Sequence, residues 1–436
     1  MRRFWLETYG CQMNKAESNA LEESLREAGW IAAETGAEAD LVILNTCSVR
    51  IGAENRIWGR IGHFKALKEK RPHTLVVMGC MAQRLGEELK KTSPAVDMVV
   101  GTFRKEAFTR MLEKAAADTT PLVFENETGV QDYVFAPLHA RRGDFRAFVP
   151  IMHGCDNFCA YCIVPHVRGR EVSRPPESIF AEMEKLLERG AREITLLGQN
   201  VNSYSFDGRD FPGLLDGIFR RFPEAPWIRF LTSHPKDFSG ALIDRMALYP
   251  ALCRRVHLPV QHGSDTILRR MNRKYTRGDY LERVGALRAR LPGVLVSTDI
   301  LVGFPGETDA DFRATLALME EVRFDEAFTY YYNPREGTAA WGMDNEVPKN
   351  IKLERLREVI DLQRTLGAER KKERLGTLVR ALAEEVSRKN SEELLGRTEG
   401  DEMVVFPGPR RLIGNFCALR LEELRGNTFF AREVTE

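Results

Sequence analysis

From residue 145 to residue 333 the chain alternates short apolar runs with helical stretches about six times. The apolar runs are "FRAFVPIM", "EITLLGQN", "WIRFLTS", "RVHLPVQ", "VLVSTDILVGF" and "FDEAFTYYYN"; helical stretches such as 178–188, 280–290 and 311–321 lie between them. Strands linked by helices pack as parallel neighbours with the helices outside. Repeated βα units of this length give a barrel or an open partial barrel, with reactive groups at the C-terminal ends of the strands. This repeat constrains the fold more than any other feature of the sequence. It predicts a central α/β partial barrel.

The first of these strands runs directly into "HGCDNFCAYCIVPHVRGR", where Cys155, Cys159 and Cys162 are spaced C-x3-C-x2-C. Zinc and iron–sulfur sites both usually take four protein ligands, so a triad leaves one place open. His166 stands C-x3-H from Cys162 and would complete a Cys3His zinc site. The other reading is an iron–sulfur cluster with one iron left for a small molecule. Zinc would account for neither the barrel nor a second cysteine set.

That second set lies in the first hundred residues. "RRFWLETYGC", "DLVILNTC" and "HTLVVMGC" each read as a strand that ends in a cysteine, and 15–28 reads as an amphipathic helix. Strands separated by helices imply a parallel sheet, whose ligands bind at the carboxyl ends. Cys11, Cys47 and Cys80 are therefore expected to meet on one edge. One such cysteine would be a packing thiol; three at the same topological place indicate a metal site. Cys253 and Cys417 have no partner pattern and read as packing thiols.

At 436 residues the chain is long enough for two or three domains. With 64 Lys+Arg against 63 Asp+Glu the net charge is +1, so any nucleic-acid surface has to be local. No run approaches the roughly 20 apolar residues that span a bilayer, and no secretory leader is evident. A cytoplasmic protein is expected, in which the cysteines serve as ligands rather than disulfides.

The C-x3-C-x-aromatic-C pattern, with Tyr161 as the aromatic, resembles the radical S-adenosylmethionine (SAM) enzymes. Over the whole chain, "YGCQMN", "NTCSVR", "MGCMAQ", "LLGQNVNSY", "HLPVQHGSD" and "VGFPGET" resemble the methylthiotransferases of that superfamily. They are most similar to the branch acting on isopentenyladenosine beside the anticodon of tRNA. The branches acting on a ribosomal protein or on threonylcarbamoyladenosine usually carry "LGCxKN" or "GCKVNQ" instead of "YGCQMN".

The resemblance implies an α/β architecture of three parts. These are an N-terminal parallel α/β domain (1–138), a partial (βα)6 radical-SAM barrel (139–369) and a small antiparallel β-barrel of the TRAM, OB-like kind (370–436). It implies two [4Fe–4S] clusters, one on Cys155, Cys159 and Cys162 and an auxiliary one on Cys11, Cys47 and Cys80. The amino and carboxylate groups of SAM would fill the open place at the first. Tyr161 is expected beside that cofactor. Gln199, Ser233, Gln261 and Asp299 would hydrogen-bond it, and Gly198, Gly303 and Gly306 would permit close backbone approach to a nucleoside. The alternative for each of these is ordinary turn chemistry. A monomer with no membrane partner is implied, reduced by a donor such as flavodoxin or ferredoxin and acting on a tRNA anticodon stem-loop.

Residues 351–375 form a charged helical stretch, followed by five short strand-like runs that read as a small β-barrel. "ERKKER" and "GPRRL" are candidate phosphate contacts; a solvated structural cap is the alternative. The aromatics of "FTYYYNPREGTAA" would stack on a flipped base or be half-buried strand residues, and Arg335 would face a phosphate or be an exposed loop arginine. Two competing functions remain open at this point. One is a zinc-containing RNA-binding protein without activity, and the other is a radical enzyme acting on a protein or on threonylcarbamoyladenosine tRNA.

Overall fold

A computed structural model describes residues 2–48, 51–102, 108–109, 112, 135 and 144–434. The N-terminal part comprises β1 (Arg3–Thr8), α1 (Gln12–Glu27), β2 (Ile31–Ala32), β3 (Leu41–Thr46), α2 (Ile51–Lys70), β4 (Thr74–Gly79), α3 (Cys80–Leu85), α4 (Glu87–Thr92) and β5 (Met98–Val100). Its sheet is parallel, in the order β2-β1-β3-β4-β5. Strand β3 is apolar without alternation because both its faces are covered. Val42 and Leu44 pack with Ile57 and Phe64 on one side, and Leu41 and Ile43 pack with Leu21 and Leu25 on the other. Helix α1 begins three residues before the expected 15–28 span, with Cys11 as its N-cap.

The central part contains β6 (Arg146–Pro150), the small pair β7 (Met152–His153) and β8 (Val172–Ser173), β9 (Glu193–Leu197), and the hairpin β10 (Ser205–Phe206) and β11 (Arg209–Asp210). It continues with β12 (Trp227–Phe230), β13 (Arg255–His257), β14 (Leu295–Val302) and β15 (Glu326–Tyr331). The six barrel strands are all parallel, in two runs, β12-β9-β6 and β13-β14-β15. A parallel bridge, Ile228 to Leu252, links the two halves. Among the described residues β6 and β15 do not pair, so the barrel stays open along one side. Alternate residues such as Val149, Ile194, Leu196, Ile228, Val256, Val296 and Ile300 belong to the largest hydrophobic core, shared with the surrounding helices.

The long helix Lys349–Lys372 crosses β15 and leads to β16 (Leu378–Val386), β17 (Glu393–Thr398), β18 (Met403–Pro407), β19 (Phe416–Arg425) and β20 (Thr428–Glu433). They close a barrel in the order β16-β17-β18-β20-β19. Four of its pairings are antiparallel, but β18 and β20 run parallel. A ring with an odd number of strands cannot alternate direction throughout. The small antiparallel barrel expected from the sequence therefore carries one parallel seam.

This small barrel docks on the N-terminal ends of the central strands, opposite the cysteines. Arg229 donates to the Glu399 carbonyl and, at 3.1 Å, to that of Thr398. Arg255 donates to the Gly400 carbonyl at 2.7 Å, and Arg146 pairs with Asp401 at 3.3 Å. Beneath the turn, Glu193 is 1% exposed and accepts from both Arg146 and Arg229 at 2.7 Å. Among the described residues no helix is long and apolar enough to cross a membrane.

Candidate active site with two cysteine triads

Strands β1, β3 and β4 are neighbours, with Thr8 opposite Asn45 and Thr46 opposite Gly79. Cys11, Cys47 and Cys80 therefore emerge side by side, just past three adjacent strand ends. Gly10 has φ +120°, and a side chain there would bring its Cβ within 2.3 Å of Cys47 Cβ; glycine lets the two loops touch. Contact with the Cys47 thiol holds the Cys11 thiol down at about 6, against burial and with help from the Arg168 charge. Buried Asn14 ties the loops together, donating to the Tyr9 and Thr46 carbonyls at 2.9 Å.

The second triad sits in the loop after β7. Gly154 has φ +80°, and an added Cβ would lie 1.9 Å from the Arg170 carbonyl oxygen, so only glycine closes this loop. The Gly154 amide donates to Gln199 Oε1 at 2.7 Å and the Cys155 amide to the Gly169 carbonyl at 3.1 Å. Burial pushes the Cys155 thiol up to about 11 and the Cys162 thiol up to about 12. Tyr161 packs edge-on against Phe304, with centroids 6.5 Å apart, and burial raises its phenol well above the usual range. Arg273 donates to Cys159 Sγ at 3.2 Å.

The two triads are joined by the short helix Val164–Arg168, which leaves the second triad and packs Ile163 and Val167 on Cys80. Thr102 Oγ1 donates to the Val167 carbonyl at 2.6 Å. Arg168 reaches into the N-terminal part, donating to Glu17 at 2.8 Å and to Asn14 at 3.0 Å. Although burial opposes its charge, Cys80, Glu17 and Cys11 hold that guanidinium well above its usual value. The backbone thus brings each triad together and both triads to one face. Among the described residues no set of three side chains converges on a single metal ion, whereas the three thiolates of an iron–sulfur cluster each bind a different iron.

The remaining sequence-derived residues occupy varied settings. Ser233 Oγ is buried and has no hydrogen-bond partner among the described residues, as a ligand-binding hydroxyl would. Gln261 takes φ +68° and bridges to β14 through its backbone. Asp299 lies 3.5 Å from His257 Nε2. Gln199 holds the cysteine loop through Gly154. At three of the glycines, side chains of the protein stand where a Cβ would project. These are Met152 beside Gly198, Lys352 beside Gly303 and Arg270 beside Gly306, with an added Cβ at 2.3, 2.4 and 3.0 Å from them. His166 is exposed and lines a cavity of about 440 Å³ with Phe158, Cys159, Cys162 and the 337–341 loop.

Arg335 pairs with Glu54 at 3.1 Å, which also takes Arg84, so it ties the barrel to the N-terminal part instead of facing solvent. In "FTYYY", Phe328 and Tyr330 are exposed, while Tyr332 is buried and donates to the Ala340 carbonyl at 2.8 Å. Cys253 and Cys417 are both buried in apolar clusters. Sequence reasoning missed Asn14, Arg168 and Arg273. Asn14 stood within the quoted "YGCQMN", but nothing in the sequence marks an arginine as buried.

Three family profiles match consecutive stretches of the chain. Residues 3–101 match the uncharacterized protein family UPF0004, 149–319 the radical SAM superfamily and 372–434 the TRAM domain. The tRNA-2-methylthio-N(6)-dimethylallyladenosine synthase of Treponema denticola is 51% identical over 446 residues, covering 98% of this chain and 99% of that protein. Its counterparts in Treponema pallidum and Desulfitobacterium hafniense are 47% and 44% identical. They cover 99% and 97% of this chain, and 99% and 95% of their own lengths.

Among solved structures, the radical SAM methyltransferase TsrM from Kitasatospora setae superposes with TM-score 0.60 at 19% identity, covering 76% of this chain and 75% of that one. The cobalamin-dependent SAM radical enzyme OxsB gives TM-score 0.54 at 12% identity, covering 83% and 56%. Both are likenesses of fold. Identity sustained from end to end across all three modules decides the membership: the chain belongs to the tRNA-2-methylthio-N(6)-dimethylallyladenosine synthase family of radical SAM enzymes.

Proposed function

We propose that this protein replaces the hydrogen on carbon 2 of isopentenyladenosine, beside the anticodon of tRNA, with a methylthio group. The observation that carries this reading is the helix Val164–Arg168, which runs from one cysteine triad onto Cys80 of the other. A chain that needed only one metal centre would have no use for two thiol triads on one face. All six ligand thiols come from one chain, so a monomer suffices.

The donor sets fit the groups assigned to them. Cys155, Cys159 and Cys162 would hold the radical cluster and leave one place for the amino and carboxylate groups of SAM. Cys11, Cys47 and Cys80 would hold the auxiliary cluster. When bound, the two [4Fe–4S] clusters and two molecules of SAM supply the hydrogen-abstracting radical, the methyl group and the sulfur. The protein's part is placement. Gln199 fixes the loop of the radical triad through the Gly154 amide. Ser233, whose buried hydroxyl has no partner among the described residues, would hydrogen-bond SAM together with Gln261 and Asp299, and Tyr161 would flank it. Cys155 and Cys162, held as neutral thiols by burial, must lose their protons to solvent in order to ligate a metal.

The C-terminal barrel would contribute phosphate contacts to the tRNA. Electrons would come from a small donor such as flavodoxin or ferredoxin, and the substrate places the work in the cytoplasm. The test is nucleoside mass spectrometry of tRNA from a strain lacking this gene, before and after complementation. Loss of the methylthio mark with retention of isopentenyladenosine is expected. An unchanged nucleoside profile would overturn the proposal.

A further inference from the structure

Arg273 is the least expected charge in the central barrel. It is 7% exposed, and all three of its guanidinium nitrogens are engaged. Nε donates to the Tyr275 hydroxyl at 2.8 Å, Nη2 to the Pro259 carbonyl at 2.8 Å and Nη1 to Cys159 Sγ at 3.2 Å. The guanidinium also lies 5.0 Å from the Tyr275 ring centroid. Among the described residues no carboxylate pairs with it. Arg168 differs here, because the Glu17 carboxylate already offsets its charge.

Burying a charge without a counter-ion is costly, and folded proteins rarely tolerate it. The partners of Arg273 are a phenol, a carbonyl and a thiol, all formally neutral unless the thiol is ionised. A site so constructed calls for negative charge at Cys159. Iron ligation supplies it, since a metal-bound cysteine is a thiolate. Reducing the cluster adds a further electron to an assembly that already carries three thiolates. A fixed cation hydrogen-bonded to one of those sulfurs favours the reduced form more than the oxidised one, and hydrogen bonds to the sulfurs are among the factors that set cluster potentials. Tyr275 and Pro259 prevent the guanidinium from swinging away as the charge changes.

We propose that Arg273 is a positioning residue that raises the reduction potential of the radical cluster through its hydrogen bond to Cys159, easing delivery of the electron used to cleave SAM. This rests on the assignment of Cys155, Cys159 and Cys162 to that cluster.

The test is an anaerobic redox titration of the reconstituted full-length enzyme by electron paramagnetic resonance, following the cluster signal that changes when SAM is added. Iron content and near-ultraviolet circular dichroism are measured on the same samples. In R273Q the ratio of reduced to oxidised cluster at a fixed potential is expected to fall at least about tenfold, equivalent to about 59 mV for a one-electron couple. R273K keeps the charge without the fork and is expected to fall less, in the same direction. Should R273Q not hold its cluster, R273K decides alone: a fall of about threefold or more supports the role and none overturns it. Wild-type ratios in variants that retain their iron would overturn this inference and spare the proposed function. A wild-type enzyme with no SAM-responsive cluster signal would overturn both.

Discussion

Arg168 and Glu17 form a buried ion pair at 2.8 Å, with side chains 3% and 7% exposed, between the short helix that leaves one cysteine triad and the helix that opens at Cys11 of the other. The pair fixes how the two triads face each other. Removing one partner of a buried pair strands the other, at a cost of about 3–5 kcal/mol. R168Q is expected to lose stability of that order in urea unfolding, whereas R168M/E17L, with both charges gone, recovers most of it. Equal stability of R168Q and wild type would show that the pair does not hold the domains together.

The triads are expected to separate by mutation. Two [4Fe–4S] clusters give about eight irons per chain. C155A should keep about half of them and lose 5′-deoxyadenosine production. C47A should also keep about half, retain some SAM cleavage and yield no methylthio product. Cleavage by C155A at the wild-type rate would refute the assignment of the radical triad.

In the metal-free protein the thiols should differ in reactivity with pH. Cys11, held at about 6, is largely thiolate at pH 7, and its alkylation rate should level off above that pH. Cys155, pushed up to about 11, should react about tenfold faster per pH unit through pH 9, because only the thiolate attacks. Peptide mass spectrometry after timed alkylation reads both. Parallel profiles for the two would refute the contrast.

Acid should weaken the fold through His234, which is 4% exposed. Burial, with Arg273 nearby, pushes its imidazole down to about 2. The unfolded chain then binds a proton below about pH 6.5 that the native state does not. The stability is complete above pH 6.5 and is lost on acidification, by up to about 1.4 kcal/mol per pH unit. H234N can still accept from the Lys236 amide, as His234 Nδ1 does, and should flatten the urea-unfolding slope between pH 6.5 and 5. An unaltered slope would exclude His234 as its source.

The C-terminal barrel is expected to do more than bind RNA. Its 398–402 turn covers the Arg146, Glu193 and Arg229 cluster, so truncation after residue 372 should lower the melting temperature of the remaining protein as well as its tRNA affinity. An unchanged melting temperature with lost affinity would reduce the module to an RNA-binding appendage.

The sequence by itself determined the elements and the places of the six cysteines. Apolar runs that end in a cysteine are local signals, and parallel topology carries their strand ends to a common edge. It also determined the family, because the motifs are short, contiguous and spread over the whole chain. Only the tertiary structure decided where Arg168, Arg273 and Glu193 lie. Burial of a charge depends on residues distant in sequence, and a charged residue in a sequence reads as exposed by default. The seam between β18 and β20 follows from counting strands around a closed ring, which strand-by-strand reading cannot do. What lies beside Gly198 and Gly303 is likewise a matter of packing: Met152 and Lys352, distant in sequence, stand where a Cβ would project from each.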